Sequence, residues 1–298
     1  MPVEARPPAA ERTLAWRCPV CVGDLGADGD ELVCAACGRR FAARDGVWRF
    51  SPDLVPKGFG RDRRDHLASL DGHFWFPPRA ELLCRLLDRW GGGRRAAALD
   101  AGCGAGAFLP SLLERSPLVV GVDAYHESLA AAPPAAAARA VRVQADVRHI
   151  PFAGGQFDLL CALDVLEHLE PAPFLGELRR LAAPDARLLV AVPAFPALWS
   201  EADVLAGHRR RYRRATLAAE LAGAGWRLLH ATHYQALLFP LTWASRRLAP
   251  ARLRAVERRP GRLLGRLLGA VNRFEVAAFS NRRLPWGTSL VAVARRAA

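Results

Sequence analysis

Between residues 96 and 192 the chain alternates short apolar runs with stretches of helical periodicity, and four of the runs close on an acid. Residues 96–99 run into Asp100, 117–122 into Asp123, 141–145 into Asp146 and 157–163 into Asp164. Runs this short, bounded by turn residues, predict buried strands. The segments between them predict helices from near Ala107 to about Arg115, over 126–139 and over 171–183, with Pro133 and Pro134 interrupting the second. A further helix is expected over 215–224, and strands over 187–192, 226–233 and 288–294. Strands alternating with helices indicate an α/β fold built on a largely parallel sheet.

The chemistry gathers where the first run ends, at Asp100-Ala101-Gly102-Cys103-Gly104-Ala105-Gly106. Alternating glycines let the backbone turn sharply and approach a ligand with no Cβ in the way. The helix that follows presents unpaired N–H groups to electron-rich atoms. Asp123, 17 residues past Gly106, is placed to accept hydrogen bonds from both ribose hydroxyls of a nucleoside. A glycine turn alone is also compatible with a tight strand-to-helix turn that holds no ligand.

Ahead of this region stand Cys18-Pro19-Val20-Cys21 and, thirteen residues beyond Cys21, Cys34-Ala35-Ala36-Cys37. Two CxxC pairs joined by a hairpin-length loop supply four thiolates able to converge on Zn²⁺. So short a segment has little core of its own, and metal would provide much of its stability. Cys84, Cys103 and Cys161 lie in apolar surroundings and read as small buried residues. Residues 79–90 carry a helical stripe at positions 82, 83, 86, 87 and 90, preceded by His73, Phe74 and Trp75. That helix reads as a cap, with the three residues before it at a substrate mouth or in its packing.

The chain has 298 residues and a formal charge of +13. Lys57 is the one lysine, so arginine supplies the rest, which resembles a coding bias more than a functional demand. Position is more telling, since 13 arginines and two acids fall between residues 246 and 298. In that segment residues 261–279 place Arg262, Arg266 and Arg273 within about 40° of one another on a helical wheel, with Leu264, Leu267, Leu268, Val271 and Phe274 on another face. A basic amphipathic helix suits a membrane surface or an anionic amphiphile, and equally a domain-packed helix with its arginines in solvent. Residues 1–13 carry no secretory core and no apolar run is long enough to span a bilayer, so the expected location is cytoplasmic, with peripheral membrane contact through 246–283.

The order of glycine turn, Asp123, Asp146 and Phe157-Asp158 resembles the class I S-adenosylmethionine-dependent methyltransferases, over residues 96–195. The resemblance implies a Rossmann-like seven-stranded sheet. It also implies that Asp100, Gly102, Cys103, Gly104 and Gly106 hold the methionine part of S-adenosylmethionine and that Asp123 holds the ribose. Asp146 with Val147 would meet the adenine, and Leu163 would lie beside the cofactor. The four cysteines, followed by Phe41 and Asp45-Gly46-Val47-Trp48, resemble small Trm112-like zinc modules, as a structural clasp or a recognition platform.

Asp164-Val165-Leu166-Glu167-His168-Leu169 is similar to the fourth motif of small-molecule methyltransferases, including ubiquinone-pathway O-methyltransferases in which such residues hold a metal. The last acidic position of that pattern is Pro171 here, with Glu170 one place off. His168 is a candidate general base. The loop Gly207-His208-Arg209-Arg210-Arg211-Tyr212, found also in similar methyltransferases, makes His208, Arg211 and Tyr212 candidates for contact with an anionic substrate.

The expected organisation is a tail over 1–13, a zinc ribbon over 14–50, and a linker with cap helix over 51–90. The methyltransferase domain follows over 91–298, with a helical basic insert at 235–285 between the last two strands. The reading is a methyltransferase for a small-molecule or lipid-linked acceptor. An RNA methyltransferase recognising nucleic acid through its ribbon, or a catalytically silent binding protein, are the alternatives.

Overall fold

The computed structural model describes residues 14–51, 73–248 and 260–297. The tail over 1–13, nearly all of the linker ahead of the cap helix, and residues 249–259 of the basic insert lie outside the described residues.

The central strands are β5 (Ala97–Ala101), β6 (Leu118–Asp123), β7 (Val141–Gln144), β8 (Phe157–Leu163) and β9 (Ala182–Pro193). They pair in parallel in the order β7-β6-β5-β8-β9. Every residue of β5 is buried, because helices cover both faces, and this is why the run reads as uniformly apolar rather than alternating. At the far side β11 (Ser289–Arg296) lies antiparallel between β9 and β10 (Trp226–Tyr234). These seven strands form the expected sheet.

The helices are α1 (Phe76–Trp90), α2 (Leu109–Leu113), α3 (His126–Ala130), α4 (Pro134–Arg139), α5 (Pro171–Leu181), α6 (Glu201–Leu205), α7 (Arg214–Gly223), α8 (Phe239–Leu248) and α9 (Arg262–Phe279). Pro133 splits α3 from α4, since it cannot donate the amide a continuous helix requires there. The cap helix α1 buries Leu82, Leu83, Leu86 and Leu87 on the sheet, the stripe read from the sequence.

The N-terminal hairpins are β1 (Leu25–Asp28), β2 (Glu31–Cys34), β3 (Arg40–Arg44) and β4 (Val47–Arg49). They are joined to the catalytic sheet itself. Val47, Trp48 and Arg49 pair in parallel with Arg142, Val143 and Gln144 of β7, making one sheet of eleven strands. Trp16 seals the joint, stacked on Phe50 at 5.4 Å and tilted against Phe152 of the core at 4.5 Å. Backbone bonds Arg17 N–Pro151 O and Ala153 N–Ala15 O tie the same two parts.

Candidate active site

The glycine turn follows β5 as expected. Gly102 N and Cys103 N both donate to Val122 O, at 2.7 and 3.0 Å, which folds the turn back against β6. Gly102 has φ of +82°, and a Cβ there would collide with Val165, so glycine is required twice over. Gly104, with φ of +58°, faces open space. Its N–H donates to Oδ2 of Asp123 at 2.8 Å, and Tyr125 N donates to Oδ1 at 3.0 Å. The Asp123 carboxylate is thus fixed at the strand end, the position expected to meet the ribose hydroxyls.

Asp100 is buried, and its Oδ1 has no hydrogen-bond partner among the described residues. Burial, with the nearby charge of Asp123 second, pushes its carboxyl up to about 7. A buried orphan acceptor beside an open glycine turn fits a cationic cofactor fragment, as S-adenosylmethionine carries. Asp146 accepts from the backbone N of Arg148 at 2.9 Å and forms an ion pair with its guanidinium at 2.5 Å. The side chain expected to meet the adenine is therefore shared with Arg148. Val147 and Leu163 are half-buried.

Beyond the carboxyl ends of β8 and β9 lies a cavity of about 760 Å³. His73, Phe74 and Trp75 form one wall, and Leu238, Leu241, Leu264 and Leu268 of the insert form another. Its polar end gathers Asp164, Glu167, His208, Arg211, Gln235 and Thr288. Asp164 has φ of +57°, a conformation costly for a residue with a Cβ. Arg79 of α1 holds it with an ion pair at 2.7 Å and lies over the Trp75 ring at 4.3 Å. Tyr234 donates its hydroxyl to Trp75 O at 2.8 Å. The cap helix is in this way bolted to the strand that carries the fourth motif.

The loop after β9 supplies the site's histidine. Asp203, wholly buried and held in a capping box with Ser200, accepts from Nδ1 of His208 at 2.9 Å and from Nε of Arg211 at 2.7 Å. Burial alone would raise the Asp203 carboxyl, but those two bonds hold it well below the usual range. With Nδ1–H donated to Asp203, Nε2 of His208 keeps its lone pair and lies 3.9 Å from Oε1 of Glu167. Glu167 is fully buried with neither oxygen partnered among the described residues, and burial followed by the charge of Asp164 raises its carboxyl strongly. His168 stands edge-on to His208 at 5.0 Å, its Nδ1 3.2 Å from Gly207 O. Ligand atoms of Glu167, His168 and His208 lie within 4.8 Å of one another, while Asp164, expected among them, is turned to Arg79.

Of the three candidate catalytic residues, His208 lines the cavity and His168 stands behind it. Tyr212 is a correction. It is completely buried, bridges Ala194 in the sheet-like joint after β9, and donates its hydroxyl weakly to Leu166 O at 3.4 Å. Its aromatic bulk fills the core beneath the loop, out of reach of a substrate. The arginines of that loop also differ from expectation. Arg209 and Arg210 pair with Glu170, and Arg211 with Asp203, so most of the loop's charge is neutralised within the protein. Asp203 and Arg79 were not distinguished as site residues by the sequence. Asp203's signal was its place three residues after Ser200 and five before His208, but Arg79 showed none.

At the opposite edge the four cysteines converge, with every sulfur within 4.8 Å of the others. Cys18 and Cys37 are 3.8 Å apart and Cys21 and Cys34 are 3.4 Å apart. Tetrahedral Zn–S bonds of about 2.3 Å place sulfurs about 3.8 Å apart, so the set fits Zn²⁺. Backbone N–H groups of Cys37 and Ala36 help lower the Cys34 thiol to about 6, favouring the thiolate that metal requires.

Residues 99–190 match the family described as "Methyltransferase domain". No curated protein matches the sequence significantly. Among solved structures, a chain of the complex between the Haloferax volcanii Trm112 methyltransferase activator and its methyltransferase is similar at 18% identity. The match covers 80% of this chain and 95% of that one with a TM-score of 0.53. A geranyl diphosphate methyltransferase in complex with GPP and sinefungin is similar at 16% identity, over 73% of this chain and 78% of that one, with a TM-score of 0.50. At these identities the likeness is one of fold. With the domain match over the glycine turn and the strands around it, the chain is an S-adenosylmethionine-dependent methyltransferase of the class I fold.

Proposed function

We propose that the enzyme methylates a small, largely apolar acceptor, free or lipid-linked, bound in the 760 Å³ cavity and carrying a protonated heteroatom at the polar end. The observation that carries this reading is His208, which lines the cavity while its Nδ1 is bound to buried Asp203. S-adenosylmethionine, when bound, would supply an electrophilic methyl group, the carbon–sulfur bond breaking to leave the neutral thioether S-adenosylhomocysteine. The protein's share is alignment of the acceptor with that methyl and removal of its proton. Nε2 of His208 takes the proton from the acceptor heteroatom as its new bond to carbon forms. Asp203 fixes the tautomer that leaves Nε2 free to do so and stabilises the imidazolium that results. Phe74, Trp75 and the leucines of the insert exclude water around the reacting atoms.

The acceptor's apolar part would lie against the leucines, and its polar group against Thr288, Gln235 and Arg211. The ribbon speaks for a clasp rather than a recognition platform. It joins the sheet beyond β7, four strand spacings from β8, which is about 19 Å, and its acids Asp24, Asp28 and Glu31 pair with Arg17 and Arg40. Acids and arginines that neutralise one another leave this loop without the basic excess a phosphate backbone calls for.

The test is single-turnover transfer of labelled methyl to acceptor in a lipid and small-molecule extract. With His208→Ala, transfer should fall about 10²-fold or more, while cofactor affinity by calorimetry stays as in wild type. Unchanged transfer in His208→Ala would refute the assignment of the base.

A further inference from the structure

Helix α9 is inside out. The side it buries against the body of the protein carries Gly269, Asn272, Glu275 and Val276. Glu275 is there for a local reason, accepting from the backbone N–H of Gln235 and Leu237 at 2.7 Å each and so fixing the exit from β10. The large apolar side chains point the other way. Leu263, Leu267 and Phe274 are 82%, 62% and 60% exposed.

At 100° per residue, the buried residues occupy one arc, Arg262, Arg266 and Arg273 a narrow second, and Leu263, Leu267 and Phe274 a third beside the arginines. Over 11 residues the apolar row is about 16 Å long. It is continuous with the cavity, because Leu264 and Leu268 of the same helix line it. Across the mouth, Leu241 and Trp243 of α8 are also exposed, and Leu241 lines the cavity too. Arg246 ties α8 down through a bond to Leu198 O at 2.8 Å.

We infer that α9 and α8 form a docking face for an anionic bilayer, with the apolar row inserted among the acyl chains and the arginine row at the headgroups. The arginines select this occupant. The sole acid of α9 is buried, so the exposed part of the helix carries positive charge only, which repels a second copy of itself and attracts anionic lipid. No helix among the described residues is long and apolar enough to cross a membrane, so contact is made in the plane of the interface. On the reading of the cavity as the acceptor site, its mouth opens where the face meets the bilayer, and a lipid-linked acceptor enters without crossing water.

The experiment is co-sedimentation of the full-length protein with vesicles of phosphatidylcholine alone and of equimolar phosphatidylcholine and phosphatidylglycerol. Wild type should pellet with the anionic vesicles and stay in solution with the neutral ones. Leu263→Glu/Leu267→Glu and, separately, Arg262→Gln/Arg266→Gln should each weaken the partition at least about tenfold. All four side chains are exposed, and an unchanged circular dichroism spectrum confirms that the variants are folded. Wild type left in solution with anionic vesicles would overturn the inference, as would variants that pellet like wild type. A concentration-dependent dimer abolished by the leucine variant, without vesicle binding, would assign the face to a second copy and overturn it too. The assay reads binding alone, so its failure leaves the methyl-transfer reading standing, and loss of transfer in His208→Ala leaves this one standing.

Discussion

Oδ1 of Asp203 accepts from Nδ1 of His208 at 2.9 Å, and the carboxylate is wholly shielded from solvent. Five residues apart in sequence, the pair is held by the turn through α6, where His208 N also donates to Asp203 O at 2.9 Å. That double link makes the loop after β9 rigid enough to carry chemistry. His208→Gln, which keeps a hydrogen-bonding side chain but no base, should lower kcat about 10²-fold or more and leave KM for the acceptor within a few-fold. A fall confined to KM would mean that His208 only binds.

The same carboxylate sets a limit on acid stability. Its folded-state pKa lies below the unfolded value, so the stability it contributes is fully present above about pH 4 and is lost as pH falls further. The thermal midpoint should drop below pH 4 more steeply in wild type than in Asp203→Asn. At neutral pH Asp203→Asn should be the less stable protein by about 3–5 kcal/mol, because buried Arg211 loses its counter-charge. Parallel acid profiles for the two proteins would contradict this account of the loop.

Asp100 behaves in the opposite sense. Raised to about 7, it makes the cofactor-free fold less stable as pH climbs from the unfolded value towards 7, since the unfolded chain releases the proton first. A cation bound beside it favours the ionised form. S-adenosylmethionine affinity should therefore rise about tenfold in all between pH 6 and 8, most of it below pH 7, and that rise should vanish in Asp100→Asn. Calorimetry across the range measures both, and a flat wild-type profile would place the cofactor's positive charge elsewhere.

Zinc should matter to the fold far more than to the acceptor. Chelation, or Cys34→Ser, should release β4 from β7 and expose Trp16 and Trp48, with a red shift of tryptophan emission and a marked fall in thermal midpoint. Because the four cysteines lie beyond the β7 edge of the sheet, the acceptor KM of the protein that stays folded should not change. A selective rise in that KM would make the ribbon a recognition element.

Much of this was legible in the sequence, for physical reasons that also explain what was hidden. β8 spans the residues its apolar run indicated, because its one polar residue, Asp158, sits near its start and the strand is apolar from Leu159 to Leu163. The CxxC pairs were readable because metal geometry constrains spacing. The pairing of Val47–Arg49 with β7 was hidden, since a three-residue edge strand leaves no periodic trace and its register depends on a partner 95 residues away. Tyr212 misled for the opposite reason, as a functional-looking side chain among arginines whose neighbour Arg211 turns inward to Asp203. For α9 the helical wheel located the apolar and basic faces. Which face is buried was decided by Glu275 and its backbone partners at residues 235 and 237, a tertiary contact with no local signature.

The measurement that tests the central claim most directly is transfer of labelled methyl from S-adenosylmethionine into an extract of the host cell, resolved into lipid, small-molecule, RNA and protein fractions. Wild type should label the lipid or small-molecule fraction, and His208→Ala should reduce that label about 10²-fold or more at unchanged cofactor affinity. Label appearing in RNA, or equal labelling by the variant, would contradict the account.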